Sequence, residues 1–123
     1  MTHDMTAKVY RRAAELIGQG WCRTDFAQDA TGRAVEETDP LAVRWCMWGA
    51  RNRARAEVTG VVSYSRGDVS GLSFIAHIRG VTGTGPMHFN DARARTAAEV
   101  ADAFRRAAAA VERGDVPPVE GAV

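Results

Sequence analysis

The chain predicts an all-α fold: a compact single domain of about four helices, with a long ordered loop after the first. Three observations carry that expectation. Apolar residues recur at helical spacing near both ends of the chain. Helix-starting signals precede the last periodic segment and an apolar run in the middle. The 123 residues suit one domain, large enough to fold without a metal or disulfide. The domain is expected to span 1–123, with an ordered core over 5–113 and a frayed tail over 114–123, beyond Gly114 and through Pro117-Pro118.

The first helix is expected over 5–17, where Val9, Ala13, Leu16 and Ile17 share a face while Arg11, Arg12 and Glu15 turn to water. Asp4 or Thr6 can cap its start, and Gly18 with Gly20 ends it. Periodicity lapses from Trp21 to Asp39, and Asp29-Ala30-Thr31-Gly32-Arg33 spells a turn. This loop is expected to pack on the second helix through Trp21 and Phe26.

Asp39-Pro40 predicts a second helix over 40–56, an aspartate cap followed by proline at the first helical position. From Leu41 to Ala50 only Arg44 and Gly49 interrupt the apolar side chains, so this helix is expected to be central. Between 58 and 85, Val61, Val62 and Tyr64 favour strands and Arg66-Gly67-Asp68 suits a hairpin turn. Leu72, Phe74, Ala76 and Ile78 alternate like a strand, yet Leu72, Ile75, Ala76 and Arg79 also fit a helix, and a helix over 70–80 is preferred. The last helix is expected over 96–113, opened by Thr96-Ala97-Ala98-Glu99, with Val100, Ala103, Phe104, Ala107 and Val111 inward.

A net charge of +1 gives no global field toward nucleic acid or membrane. Lys8 is the only lysine among 16 basic residues. No apolar run approaches the ~18 residues of a membrane span, and the N-terminus carries charges where a secretion signal needs an apolar core. With two cysteines and neither feature, the expected location is cytoplasmic, with reduced thiols.

Gly20-Trp21-Cys22, the Asp29–Arg33 turn, Arg44-Trp45-Cys46 before Gly49-Ala50, and Phe89-Asn90-Asp91 before Arg95-Thr96 and Glu99-Val100 occur in that order. This set resembles an uncharacterised family of small actinobacterial and phage proteins, over roughly residues 6 to 111. Phe89 stands where that family usually has tryptophan, and 58–85 matches it poorly. The resemblance implies a helical reading of 70–80 and a phage or mobile-element context, and brings no catalytic residues.

Cys22, Cys46, His77 and His88 hold the donor atoms of a zinc site but no two lie within the two to four residues such sites use, so no metal and no cofactor are expected. Cys46 as a nucleophile would need a lowered pKa, which its apolar surroundings oppose. Asn90-Asp91 is expected to be a structural clamp on local backbone. The alternative is an enzyme or ligand site around Asp25, Asn90 and Asp91, with Asp29 as a further acid. Arg44 and Trp48 stand four apart, suited to cation–π contact. Arg51, Arg53 and Arg55, with Arg44, are the candidate phosphate or acidic-partner contacts, but alternate positions on a helix spread them around it. The leading expectation is a non-enzymatic module binding a protein partner; nucleic-acid binding through these arginines comes second.

Overall fold

The structure, a computed structural model, describes residues 2–61 and 69–115. The hairpin turn expected at 66–68 lies outside these residues, as does the tail from 116 onward. The described chain is mostly helical, with a small antiparallel sheet that corrects the all-α expectation. Its elements are α1 (His3–Gln19), β1 (Ala27–Gln28), β2 (Ala34–Val35), β3 (Arg44–Trp45), α2 (Met47–Thr59), α3 (Val69–Thr82), the single turn α4 (Pro86–His88), a π-helical turn (Phe89–Arg93) and α5 (Ala97–Glu112).

Helix α1 begins earlier than expected because Thr2, rather than Asp4 or Thr6, caps it, its hydroxyl accepting from the Met5 N–H at 3.1 Å. In α5 the Thr96 hydroxyl accepts from the Glu99 N–H, and the Glu99 carboxylate accepts from the Arg95 N–H, both at 3.2 Å. Segment 69–82 is a helix, as preferred, because its apolar residues find partners on two sides. Phe74 stacks on Phe104 of α5 at 5.8 Å, with planes only 7° apart, and meets Trp48 of α2 edge-on.

The helix expected over 40–56 is shorter. Asp39-Pro40 opens a β-turn: Asp39 accepts from the Leu41 N–H through its carboxylate (2.8 Å) and from the Ala42 N–H through its carbonyl (3.0 Å). Aspartate then proline suits the first two turn positions as well as a helix start. Val43 donates to the Gln28 carbonyl at 2.9 Å, and β3 pairs with β1 with Gln28 opposite Arg44 and Ala27 opposite Trp45. The other edge of β1 pairs with β2, giving the order β2-β1-β3. The expected turn closes that hairpin: Asp29 Oδ1 accepts from the Thr31 and Arg33 N–H groups, and Gly32 supplies a φ of 86°.

Helix α1, not α2, is the central element. It packs on α5 and on α2, and α3 packs on α5. Val9, Ala13, Leu16 and Ile17 meet Val100, Ala103, Phe104 and Val111 in one core cluster. The reason is compositional: most of the apolar run that promised a central helix lies before α2 begins, leaving α2 only Met47, Gly49, Ala50, Arg51 and Ala54 as buried residues. Ion pairs stitch the outer faces, Arg11 with Glu112 across α1 and α5 and Arg12 with Glu57 (2.5 Å) across α1 and α2, while Arg53 pairs with Glu57 (3.1 Å) within α2.

Candidate functional site

The loop after α1 and the segment entering α2 meet in a single parallel rung. Trp45 donates its N–H to the Gly20 carbonyl at 3.0 Å and accepts from the Cys22 N–H at 3.2 Å, pairing Trp21 with Trp45. Gly20 is required by closeness: a Cβ there would stand 2.1 Å from the Val43 carbonyl oxygen. At the next rung the side chain of Asn90 replaces the peptide partner. Its Oδ1 accepts from the Met47 N–H (2.9 Å), and its Nδ2 donates to the Cys22 carbonyl (3.2 Å). Oδ1 also accepts from Trp21 Nε1 (2.7 Å), and Nδ2 also donates to Asp91 Oδ1 (2.8 Å). All four positions of the amide are used, and Asn90 is only 1% exposed.

Asn90 and Asp91 reach this place from the π-helical turn, which Ala94 closes by donating its N–H to the Phe89 carbonyl at 2.8 Å. Such wide turns recur at functional positions. Arg23 latches the loop onto the same turn, donating to the Ala94 carbonyl at 2.6 Å and lying 4.8 Å over the Trp21 ring. Thr24 donates its N–H to Asp91 Oδ1 at 3.3 Å and holds a φ of 71°, an uncommon conformation for a residue other than glycine.

The clamp forms one side of a pocket of about 140 Å³, lined by Thr24, Asp25, Phe26, Cys46, Trp48, Pro86, Met87, Asn90 and Asp91. Phe26 is 50% exposed and Met87 60%. Half of Phe26 is thus exposed, and its backbone meets α2 closely: a Cβ at Gly49 would lie 1.8 Å from its carbonyl oxygen. Asp25 Oδ2 accepts from Gln28 Nε2 at 2.8 Å. Across Phe26 lies a second, wider recess of about 670 Å³, lined also by Glu36, Glu37, Asp39 and Asn52.

The structure brings Asp25, Asn90 and Asp91 together and leaves Asp29 in the hairpin turn. It does not gather the arginines. Arg51 is 1% exposed, with its guanidinium 5.8 Å from the Trp48 ring and 5.7 Å from Phe74. Arg53 pairs with Glu57, donates to the Glu37 and Asp39 carbonyls at 3.1 Å, and lies over Trp45. Arg55 is half-buried. Arg44 donates to the Asp29 carbonyl at 3.0 Å, and it is Arg51 that meets Trp48. Trp45 is in a strand rather than in the second helix, and its indole donates to the Glu37 carbonyl at 3.1 Å.

Both cysteines are free. Burial pushes the Cys22 thiol up to about 12 and the Cys46 thiol up to about 11. The second shift prevails although Cys46 caps α2, its sulfur accepting from the Gly49 N–H at 3.4 Å. Among the described residues, no group of three His, Cys, Asp or Glu side chains could hold a metal ion, and no helix is long and apolar enough to cross a membrane. Sequence reasoning passed over Met87 and Thr24. A lone methionine in a glycine-rich connection and a threonine in a loop carry no pattern that marks them.

No curated protein and no solved structure matches the chain. Residues 1–110 match a family described as a family of unknown function, DUF6197. The match spans most of the chain, helices and clamp alike, and the protein belongs to that family of unknown function.

Proposed function

We propose that this domain is a non-enzymatic interaction module that docks a partner protein at the Phe26–Met87 pocket, taking in one long side chain that ends in a positive charge. The observation that carries the reading is the convergence there of two exposed apolar side chains with two carboxylates. Among the described residues, no hydrogen bond reaches Asp25 Oδ1 or Asp91 Oδ2. A volume of about 140 Å³ suits the stem of a lysine, arginine or methionine rather than a metabolite. Methionine at the rim adapts to varied partners, and the Thr24 backbone is the kind of local strain found at binding positions. High thiol pKa values argue against enzymatic catalysis by a cysteine of the same pocket at neutral pH. The placement of Arg51 and Arg53 favours this surface over a phosphate-binding one. The same reading puts the module in a reducing cytoplasm, with the actinobacterial or phage context that the motif resemblance suggests.

The test is panning a random peptide display library against the domain. The expected outcome is enrichment of sequences with lysine or arginine beside an apolar residue. Their Kd should weaken about tenfold or more, roughly 1.4 kcal/mol, in Met87→Ala and in Asp25→Asn. No enrichment, or binding indifferent to both substitutions, refutes the proposal.

A further inference from the structure

Trp21 and Trp45 pair across one parallel rung, so the residues that follow them, Cys22 and Cys46, stand side by side with side chains on the opposite face from the two indoles. Paired strands run ~4.8 Å apart, and a disulfide accepts Cα separations of ~4.4–6.8 Å. The Asn90 amide spreads the two segments only at the following rung, beyond the cysteines. Neither sulfur is strongly held: Cys22 Sγ donates to the Asp25 carbonyl and Cys46 Sγ accepts from the Gly49 N–H, both at 3.4 Å.

The geometry points to Cys22 and Cys46 as an oxidative modification site, a thiol pair that closes an intramolecular disulfide when it meets a small disulfide oxidant. The inference stands apart from what occupies the pocket. Cys46 lines that pocket and is half-buried, whereas Cys22 is 7% exposed, so the oxidant meets Cys46 first. Cys46 loses its proton and its thiolate attacks one sulfur of the oxidant. The oxidant's S–S bond breaks, a mixed disulfide forms on Cys46, and one small thiolate leaves and takes up a proton. Cys22 then loses its proton and attacks Cys46 Sγ, breaking the mixed disulfide and releasing the second small thiol. Two protein thiols are oxidised to one disulfide, and the oxidant is reduced to two thiols. Burial keeps both protein thiols protonated at neutral pH, so the reaction is slow there and quickens as pH rises.

The experiment treats the full chain with hydroxyethyl disulfide (the oxidised form of mercaptoethanol) at mildly alkaline pH, with a urea-unfolded sample showing that the reagent is active. Trypsin without reductant then cuts after Arg23 and after Arg44, separating the two cysteines. Mass spectrometry should find the Cys22 and Cys46 peptides joined in the monomer, with both thiols disappearing together. A stable mixed disulfide on Cys46 beside a free Cys22 overturns the proposal. Cross-links between chains do so too, as do two thiols still free once the unfolded control has reacted.

Discussion

Alanine at position 90 removes a side chain that is 1% exposed and serves four partners. Two of these partners become buried orphans. The Met47 N–H belongs to the first turn of α2, which has no intrahelical acceptor for it, and the Cys22 carbonyl faces it across the gap. Each buried polar group left unsatisfied costs ~1–3 kcal/mol. The Trp21 indole is half-buried and regains water, so its loss is smaller. The sum is ~3–5 kcal/mol, a third or more of the ~5–15 kcal/mol that holds a typical domain together. Asn90→Asp is the informative companion. It keeps an acceptor for Trp21 and Met47 but turns the donor facing Cys22 into a second acceptor beside Asp91, and at neutral pH it should lose at least as much. Urea unfolding followed by tryptophan fluorescence and by circular dichroism measures both. Asp91→Ala, at an exposed residue that accepts from Thr24 and Asn90, should cost only ~1 kcal/mol. A midpoint shift below ~1 kcal/mol for Asn90→Ala would falsify the clamp, and would move the amide from scaffold to ligand contact.

Gly49→Ala places a Cβ 1.8 Å from the Phe26 carbonyl oxygen and 2.7 Å from its carbon. It should cost ~3 kcal/mol, the upper range for overpacking, in thermal unfolding; an unchanged midpoint would mean that the loop moves freely. His77 gives a pH prediction. Its Nδ1 shares a 2.5 Å hydrogen bond with the Tyr10 hydroxyl, while its buried Nε2 has no partner among the described residues. Burial first, then the charge of His3, holds its pKa below the ordinary 6.5. The unfolded chain thus takes a proton near pH 6.5 that the folded chain takes only at lower pH. Its contribution is complete above 6.5 and is lost as pH falls from there toward the folded value. Stability of the wild type should drop as pH falls below ~6.5, and His77→Leu should flatten that limb; parallel curves would count against it.

Helices α1 and α5 were legible because everything they need is local. Their apolar residues repeat at 3.6-residue spacing, and for α5 Thr96 and Glu99 supply the cap from within the same turn. The hairpin turn at Asp29–Arg33 was legible for the same reason, since Asp29 accepts from residues two and four positions along. Segment 40–45 was different. Asp39-Pro40 admits a turn or a helix, and an apolar run with tryptophan and valine suits either, so the choice belongs to whatever lies alongside. Here that is the open backbone edge of β1 and the Gly20 carbonyl, which Val43 and Trp45 satisfy only by staying extended. The clamp was half legible. An Asn-Asp pair announces a side chain bound to backbone, but its partners at 21, 22 and 47 are more than forty residues away. Arg51 was misplaced on the same ground. Composition puts a guanidinium in water, whereas in the fold Arg51 lies against the rings of Trp48 and Phe74 and donates to Asn52. The sequence by itself determined which segments have a local reason to coil or turn. The tertiary structure decided where backbone groups and charges find partners distant in the chain, because a hydrogen bond made across folded segments leaves no spacing in the sequence to read.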